Sequence, residues 1–578
     1  GLWSGEEGGA ALPFALGRLE VLGPVPAEAW VQVRDVTEAG SSVQTLDADI
    51  CDADGRVCVR MQGLSARTLE RPSAPVAVEP LDEPVMRDVL TLMPSWEPQA
   101  SPVGAPWPSQ DRRVLLVGAT ERQRQAWAAR YAQVHAVNVG AESTVEMLIE
   151  LLSKFDGIDH VVWIAPQNGK ELLAGEALIE AQSIGVIGLF QLLKALFSLG
   201  YGTSGLEMSV VTWQAQAVRG DDRLDPAHSS VHGLVGSLAK EYPHWSIRLV
   251  DLPVEEGGAE ADLCLAAWLP LPADSQGDAW AYRCGEWYRQ QLLSCRQPAA
   301  EPSVYRHGGV YVVIGGAGGI GEALSEYLIR RYAAQVIWIG RRAADASIAA
   351  KIERLSVYGP APLYLQADAA DRTSLQRAYE TVKARHAQIH GVVHAAIDLQ
   401  DQGLAQMDQS RFRASLRAKI DVSVRLSQVF AMEQLDFVLF FSSLQSFSKL
   451  GGQGNYAAGC TFKDAFAKQL GRSWPCQVKT MNWGYWGSVG VVASDDYRAR
   501  MALQGVGSIE PAEGMLALEE LLASPLDQVA LVKLSQERFE ELGLGREAVI
   551  VHAHEVPSVL DMLDLSGIDE RIELAEPI

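Results

Sequence analysis

Hydrophobic and polar positions alternate in blocks along most of this chain, as expected where strands alternate with helices. An apolar run at 311–314 precedes a glycine-rich turn, and the stretch after the turn carries Ile320, Leu324 and Leu328 at helical spacing. A second apolar run follows at 335–339. Short apolar strands separated by amphipathic helices predict a doubly wound α/β unit with a parallel sheet.

The same alternation occurs earlier in the chain. Predicted strands lie at 114–117, 134–137, 160–164, 208–212 and 247–250, with helical patterns between them and one long helical pattern at 181–197. The first of these strands is followed by Gly118 alone, whereas the later copy has five glycines in its turn. We therefore predict two Rossmann-like subdomains, a structural one at 112–300 without a cofactor site and a catalytic one at 301–545.

The remaining segments have different patterns. Residues 1–70 predict four short strands, with a hairpin around the turn Asp52–Ala53–Asp54–Gly55. This turn is similar to a calcium loop but lacks the distal Glu, so we expect no metal there. Residues 71–111 are rich in proline and acid and predict a linker that holds one strand, near 89–96, and residues 546–578 predict a C-terminal linker.

Composition narrows the function classes. The chain has 578 residues, and 49 Lys and Arg against 72 Asp and Glu give a net charge of −23, which disfavours nucleic acids and anionic membranes as partners. Its seven cysteines form no CxxC pair, so neither a zinc site nor a disulfide framework is indicated, and we expect a cytoplasmic protein. Because the chain starts at Gly1 without Met, we expect a piece of a larger polypeptide.

The glycine turn is the first candidate site. It satisfies GxGxxG from Gly316 to Gly321, and such a turn lets backbone N–H groups and a helix N-terminus approach a pyrophosphate. The motif alone can be no more than a tight turn. The strand before it, the helix after it and the paired Arg341 and Arg342, which suit a 2′-phosphate, favour NADPH. The predicted binding residues in the turn are Gly315, Gly316, Gly318, Gly319, Ile320 and Gly321.

Two later strand ends belong to the same predicted cofactor crevice. Asp368 follows the strand at 364–366 and is placed to accept a hydrogen bond from adenine, although it could instead cap a helix. Ala395 and Ala396 follow the strand at 391–394, and their small side chains leave room near the adenosine half.

Three residues further along carry the candidate chemistry. Lys419 in a predicted helix precedes Ser443 by 24 positions, and Tyr456 follows Ser443 by 13. In this order and at these intervals, after a cofactor turn, the sequence resembles the ketoreductase domains of modular polyketide synthases, members of the short-chain dehydrogenase/reductase superfamily. The resemblance covers roughly residues 85–540 and includes an upstream structural subdomain.

The resemblance implies a role for each residue. A ketone that accepts a hydride leaves charge on its oxygen, and Tyr456 would give it a proton while Ser443 donates a second hydrogen bond. Lys419 would supply the positive charge that favours the Tyr456 phenolate and help hold the nicotinamide ribose. The family commonly has Asn four residues after the tyrosine, where this chain has Cys460. The proton relay would then run through a water or a backbone carbonyl.

Two family markers concern stereochemistry and a lid. Members that make the D-alcohol often carry Leu-Asp-Asp, of which Leu399, Gln400 and Asp401 keep the first and last residues. Members that make the L-alcohol typically have Trp where this chain has Ser448, so we expect the D-alcohol (B-type). The segment from Asn482 resembles the approach to a lid over the nicotinamide at 487–494, although its tryptophans could equally be core.

The N-terminal segment also has a counterpart. Residues 12–19 and the hairpin resemble the closing half of a polyketide synthase dehydratase, a hot-dog fold, but the dehydratase motifs are missing and we expect no dehydratase activity. The implied partners are an acyl carrier protein with a phosphopantetheine-bound β-ketoacyl chain, and neighbouring dehydratase and ketosynthase domains. Two alternatives stay open: a catalytically inactive scaffold, for which Cys460 is the best argument, and a free-standing reductase of small ketones.

Overall fold

The fold is seen in a computed structural model of the chain. The structure describes residues 11–15, 17–24, 26, 29–36, 43–68, 86, 88–100, 104, 106–167, 173–220, 222–254, 265–298, 302–489, 495–541, 544 and 548–551. The chain divides into two compact units, residues 1–83 and 84–578.

The first unit contains a small antiparallel sheet. Its strands in the described residues are β1 (Ala11–Ala15), β2 (Arg18–Val21), β3 (Trp30–Asp35), β4 (Val43–Cys51) and β5 (Val57–Thr68). They follow the order β1-β5-β4-β3, with β2 also on β5. This is one strand more than the sequence predicts. The predicted hairpin joins β4 to β5, and the Asp52 carboxylate accepts the N–H groups of Asp54 and Arg56 within its turn.

The second unit is a large mixed α/β structure. Its strands are β6 (Leu90–Gln99), β7 (Arg113–Val117), β8 (Gln133–Val137), β9 (His160–Ile164), β10 (Glu207–Trp213), β11 (Ser246–Leu252), β12 (Ala279–Arg283), β13 (Glu286–Arg296), β14 (Val310–Ile314), β15 (Gln335–Gly340), β16 (Leu363–Gln366), β17 (Gly391–His394), β18 (Phe437–Ser443), β19 (Gln477–Trp483), β20 (Gln528–Val532) and β21 (Val549–Ile550). Its helices are α1 (Glu121–Ala128), α2 (Val145–Leu152), α3 (Ala177–Ile184), α4 (Val186–Ser198), α5 (Ser230–Glu241), α6 (Leu265–Trp268), α7 (Gly319–Tyr332), α8 (Ala346–Ser356), α9 (Arg372–Lys383), α10 (Gln409–Arg417), α11 (Ile420–Val429), α12 (Gln445–Ser448), α13 (Gly454–Ser473), α14 (Asp495–Leu503), α15 (Pro511–Ala523) and α16 (Gln536–Glu541).

The later half of this unit is doubly wound. Its parallel strands follow the order β16-β15-β14-β17-β18-β19, so the strand order reverses between β14 and β17. In such sheets the ligand crevice lies outside the carboxyl ends of the strands at this switch point. The glycine turn follows β14, and Ala395 and Ala396 follow β17, which places them at the same crevice.

The earlier half repeats the pattern, and one sheet runs through both halves. Its parallel strands follow the order β8-β7-β9-β10-β11-β12. Strands β6 and β13 pair with each other antiparallel, and β6 also pairs with β20 of the later half. The predicted fold class is therefore confirmed: two Rossmann-like subdomains, with a small antiparallel β-rich segment at the N-terminus.

The predicted strand near 89–96 is β6, a member of this large sheet, although its neighbours in sequence predict a linker. The last described strand, β21, pairs with β13 at Cys295 and Arg296. The predicted domain boundaries stay predictions.

The core is formed by the central strands and the helices that cover them. In the earlier half α4 is buried on almost every side. Helices α3 and α4 together span Ala177–Ser198. Within the described residues, this is the one stretch that is long and apolar enough to cross a membrane by length and composition. However, 72% of its most apolar window is buried inside the protein. Burial of this kind is typical of a core helix.

Candidate active site

The glycine turn after β14 has a geometry that only glycine allows. Gly315 has φ +89°, and a Cβ there would lie 2.8 Å from the backbone nitrogen of Ala396. A Cβ on Gly316 would lie 2.1 Å from the Trp338 ring. Gly315 therefore lies close to Ala395 and Ala396, so the end of β14 and the end of β17 meet at the predicted cofactor crevice.

The first turn of α7 completes a cradle for phosphate. Gly318 is the N-cap of α7, so the helix begins with Gly319, Ile320 and Gly321. The first N–H groups of a helix have no partner within the helix and favour negative charge. Lys351 Nζ donates to the carbonyl of Ala317 at 2.8 Å and holds the turn from the α8 side. These residues fit the pyrophosphate of a dinucleotide.

The predicted adenosine-side residues make contacts within the protein. Arg341 Nη2 lies 2.9 Å from Asp398 Oδ2, and Arg342 Nη1 lies 3.4 Å from Asp345 Oδ2. Both guanidinium groups are more than half exposed, at 57% and 66% of their side chains. Both can therefore turn towards a bound anion.

Asp368 does not cap the helix that follows it. The N-cap of α9 is Asp371, whose side chain accepts from Ser374 N–H. Asp368 instead accepts the N–H of Ala370 at 3.0 Å and pairs with Arg417 at 2.8 Å. The helix-cap alternative is wrong, and the adenine role of Asp368 stays a prediction.

A cavity of about 750 Å³ lies along the outer side of α7. It is lined by Gly318 and Gly319 at the turn, and by Glu322, Lys351 and Arg354. Glu322 lies 2.8 Å from Lys351 Nζ and also contacts Arg354, so the charges on this wall are paired with each other. The three catalytic candidates do not line this cavity.

Lys419, Ser443 and Tyr456 come from three elements and meet near the carboxyl end of the sheet. Ser443 ends β18, Tyr456 lies in the first turn of α13, and Lys419 is the N-cap of α11. Lys419 therefore lies between α10 and α11, and not inside a helix as the sequence predicts. Its Nζ is 4.1 Å from the centre of the Tyr456 ring, and the Ser443 hydroxyl, which accepts the N–H of Gln445 at 3.2 Å, is near enough to lower the pKa of Tyr456.

Burial and nearby charge set the proton affinities of this group. Burial raises the pKa of Tyr456 to about 12, although the positive charge of Lys419 and the Ser443 hydroxyl act in the opposite direction. Burial alone would lower the pKa of Lys419, which is 1% exposed, but Cys460 and Tyr456 outweigh it and the pKa is raised. Lys419 therefore keeps its charge beside a tyrosine that keeps its proton.

Cys460 is fully buried, and it follows Gly459, where a Cβ would lie 2.5 Å from Lys419 Cδ. Burial raises the pKa of the Cys460 thiol, although the nearby charge of Lys419 acts to lower it. A cysteine that acts as a nucleophile has a lowered thiol pKa, so Cys460 does not resemble one. The Cys460 thiol therefore lies near Lys419, at the position where the family commonly has Asn.

Of the stereochemical markers, Asp401 contacts the catalytic helix. Its Oδ2 accepts from Gln453 Nε2 at 2.7 Å, three residues before Tyr456. Burial raises the pKa of Asp401, and its charge acts on both Lys419 and Tyr456. Gln400 donates instead to Asp398 at 2.9 Å, and Leu399 is half-buried in the same loop.

Trp483 and Trp486 are core residues. They are 4% and 3% exposed, and their rings pack edge to face with centroids 5.1 Å apart. Of the predicted lid, residues 490–494 lie outside the described residues, so the lid stays a prediction.

The structure adds Asp464, which the sequence analysis did not name, and gives a place at the site to Asn482, named there only as the start of the lid segment. Asn482 Nδ2 donates to the Ser443 carbonyl at 3.0 Å and to Asp464 Oδ2 at 2.8 Å. Asp464 lies eight residues after Tyr456 on α13, and this helical spacing is the only signal that could have indicated it. Among the described residues, no group of three or more His, Cys, Asp or Glu side chains could hold a metal ion.

Comparison with known proteins assigns this site to a family. Residues 309–488 match the KR domain family, and residues 2–75 match the polyketide synthase dehydratase N-terminal domain. Residues 309–488 form a KR domain of the polyketide synthase type. This match confirms the predicted resemblance. A KR domain is an oxidoreductase of the short-chain dehydrogenase/reductase type and depends on NAD(P)H. The second match assigns the N-terminal segment to the N-terminal domain of a dehydratase and not to its closing half.

Relatives of the whole chain are polyketide synthases. The chain is 44% identical over 561 residues to polyketide synthase PksN of Bacillus subtilis strain 168, a match over 96% of this chain and 10% of PksN. It is 44% identical over 571 residues to PksM of the same organism, over 97% of this chain and 13% of PksM. The chain thus spans about a tenth of the length of these curated relatives.

Solved structures support the same fold for the KR domain and its structural partner. An N-terminal ketoreductase from the macrolactin assembly line has a TM-score of 0.65 at 17% identity, covering 79% of this chain and 94% of that one. A-type ketoreductases from a modular polyketide synthase give 0.63 at 24% identity, covering 79% and 96%.

Proposed function

We propose that this KR domain uses NADPH to reduce the β-keto group of an acyl chain, which an acyl carrier protein presents through its phosphopantetheine arm, to a D-configured hydroxyl. The observation that carries the proposal is the meeting of Lys419, Ser443 and Tyr456 at the carboxyl end of the sheet whose glycine turn fits a dinucleotide.

The three side chains divide the work on the ketone oxygen. A bound nicotinamide supplies the hydride. Ser443 donates a hydrogen bond to the ketone oxygen and holds it against Tyr456, which gives the proton as negative charge develops there. Lys419, with its Nζ 4.1 Å from the ring centre of Tyr456, stabilises the phenolate that remains.

Preference for NADPH is supported by Arg341 and Arg342. They follow β15, the strand whose carboxyl end meets the adenosine ribose in this fold. The ion pair of Arg341 with Asp398 is exposed and therefore weak, so a 2′-phosphate can replace the carboxylate.

The D configuration is supported by Ser448, which stands where L-alcohol members have Trp, and by Asp401, which is fixed to α13 through Gln453. Neighbouring dehydratase and ketosynthase domains, as well as the carrier protein, are proposed as partners. A cytoplasmic location is also proposed, since the six cysteines among the described residues are free.

The test follows NADPH oxidation by absorbance with a short β-ketoacyl thioester, with NADH in parallel and chiral analysis of the product. We expect turnover with NADPH, much less with NADH, and the D-alcohol as product.

The double variant Arg341→Ala/Arg342→Ala should raise KM for NADPH and leave KM for NADH little changed. The thioester and a substrate loaded on a carrier protein are both tried. If the chain binds NADPH but reduces neither, the result would favour an inactive scaffold, an alternative that Cys460 at the usual Asn position supports.

A further inference from the structure

Helix α13 carries a line of titratable side chains that continues beyond the catalytic tyrosine. Tyr456, Cys460, Asp464 and Lys468 follow one another at every fourth position, and residues four apart lie on the same side of a helix. The line ends where Lys468 Nζ meets Asp527 Oδ2 at 2.6 Å, with side chains 35% and 48% exposed. It therefore connects the reacting centre with the surface.

The first part of this line is in contact with the catalytic lysine. Lys419 packs against Gly459, the residue before Cys460, where a Cβ would lie 2.5 Å from Lys419 Cδ, and its ammonium lies over the Tyr456 ring. Asp464 interacts electrostatically with both Cys460 and Lys419. Tyr456, Cys460 and Asp464 thus lie along one side of α13, and Lys419 packs against the start of this line.

The second part of the line borders a small cavity with both polar and apolar walls, here called the rear pocket. Its polar wall residues include Ser446, Asp464, Lys468, Asp527 and Gln528 from the later half of the second unit, and His232 and Asp278 from the structural half. The rear pocket has a volume of about 160 Å³. Since about 10–15 Å³ of such space is enough for one water molecule, the rear pocket is large enough to hold water.

Asp464 is suited to hold a proton at this boundary. Its Oδ2 accepts from Asn482 Nδ2 at 2.8 Å and from Gln528 Nε2 at 3.0 Å. Its Oδ1 is buried and has no hydrogen-bond partner in the described part of the chain. Burial raises the pKa of Asp464, which favours the protonated acid.

We propose that Asp464 and Cys460 return protons to Lys419 from the rear pocket during reduction, in the place of the route that an asparagine at position 460 would support. This inference rests on the proposed function, because it concerns how Tyr456 regains the proton that it gives to the ketone oxygen.

The proton transfers balance in sequence. The Tyr456 phenolate takes a proton from the Lys419 ammonium, and the Lys419 amine takes one from the Cys460 thiol. The thiolate takes one from the Asp464 acid, and the Asp464 carboxylate is protonated again by a solvent acid, hydronium or buffer, whose proton passes through water in the rear pocket. Each step breaks one bond to hydrogen and forms another, and no electrons are exchanged.

A purely positioning role for Asp464 is the competing explanation, since Asp464 holds Asn482, which donates to the Ser443 carbonyl. A double-mutant cycle separates the two. The variant Asp464→Asn keeps an acceptor for Asn482 but cannot release an acid proton, and Cys460→Asn supplies the residue that the family commonly has.

We expect Asp464→Asn alone to lower kcat about tenfold or more, with KM little changed. In the Cys460→Asn background the same change should lower kcat by less than about twofold, because the asparagine provides its own route. Glu433→Gln, which removes a buried carboxylate outside this line, is the matched control and should leave kcat unchanged. Equal losses in the two backgrounds would overturn the relay and support positioning.

A second measurement needs no turnover. In the infrared spectrum of the cofactor-free chain, the S–H stretching band of Cys460 is identified as the band lost in Cys460→Ser. We expect this band to shift in Asp464→Asn and to stay in place in Glu433→Gln. A band that does not move in Asp464→Asn would overturn the relay. If the wild type fails to oxidise NADPH, the proposed function fails, and the infrared band still decides whether Asp464 acts on Cys460.

Discussion

At the scale of single residues, Gly315 shows how one position can serve the whole cofactor site. Its φ of +89° is in the left-handed region that L side chains avoid, and Ala395 and Ala396 lie against the place where a Cβ would be. The conformation turns the chain from β14 towards α7 within a few residues, and so aims the first N–H groups of the helix at the crevice.

We expect Gly315→Ala to weaken NADPH binding by at least tenfold and to cost about 1–3 kcal/mol of stability, because the new Cβ strains the backbone and meets Ala396. A fluorescence titration gives Kd, and urea unfolding gives the free energy of unfolding. Gly140→Ala is the matched control, since nothing lies within 4 Å of its Cβ position. An unchanged Kd in Gly315→Ala would remove the turn from the proposed binding site.

The positions of the candidate catalytic residues could be proposed from the sequence because a family motif fixes their types and intervals. Lys419, Ser443 and Tyr456 are brought together as the motif implies, although Lys419 lies at a helix N-cap and not inside a helix. Asp464 could not be predicted in this way. Asp464 stands out only through its contacts with Asn482 and Gln528. These residues are distant from Asp464 along the chain and reach it only once the strands of the sheet have assembled.

At the scale of elements, two helices from different halves pack unusually close together. A Cβ on Gly233 of α5 would lie 2.2 Å from the carbonyl carbon of Ala457 on α13. Since Ala457 follows Tyr456, the non-catalytic half sets the position of the catalytic helix through a glycine that carries no chemistry itself.

We expect Gly233→Ala to push α13 away, to destabilise the protein by about 1–3 kcal/mol and to lower kcat with it. Thermal unfolding and NADPH oxidation measure the two effects. Gly220→Ala, in the same half but with open space around its Cβ position, should change neither. Full activity in Gly233→Ala would mean that α13 does not depend on this contact.

Element types were predicted well and their ends less well, for identifiable reasons. Apolar runs fix the parallel strands, because these strands are buried on both faces. The single helix predicted across 181–197 is two helices, α3 and α4, which break at Gly185, where the His228 ring lies close. The continuous sheet through β6, β13 and β20 also could not be predicted, since its pairing joins segments more than 180 residues apart.

At the scale of the whole molecule, both halves of the second unit behave as one body. The shared sheet joins them through β6, and Lys449 Nζ of the KR domain lies 2.6 Å from Asp278 Oδ1 of the structural half. The side chain of Lys449 is only 4% exposed. A separate structural half would leave this charge and the β6 edge without partners, so the two halves are expected to unfold together.

Buried histidines in the structural half predict a loss of stability in acid. His160 is fully buried between Glu207 and Ser209, and burial lowers its pKa to about 4. The unfolded chain takes up the proton near pH ~6.5, before the folded one does. The stability present above that pH is therefore lost as the pH falls towards 4, by about 3 kcal/mol for this histidine.

Urea unfolding between pH 7 and pH 4.5 measures this loss. The slope of the free energy of unfolding against pH reports how many protons the chain takes up when it unfolds. In His160→Gln this slope should be smaller than in the wild type, by an amount that corresponds to at most one proton. His307→Gln, at an exposed position, is the control and should leave the dependence unchanged. An equal dependence in His160→Gln and the wild type would contradict the assignment.

Tyr456 is proposed to give the proton in a reduction by NADPH, and the variant Tyr456→Phe removes the hydroxyl that would give it. Phenylalanine keeps the ring that Lys419 contacts and removes only the hydroxyl. We predict that kcat for NADPH oxidation with a β-ketoacyl thioester falls by about 10²–10⁴ while the Kd for NADPH changes less than about twofold. Turnover in Tyr456→Phe close to that of the wild type would contradict the account.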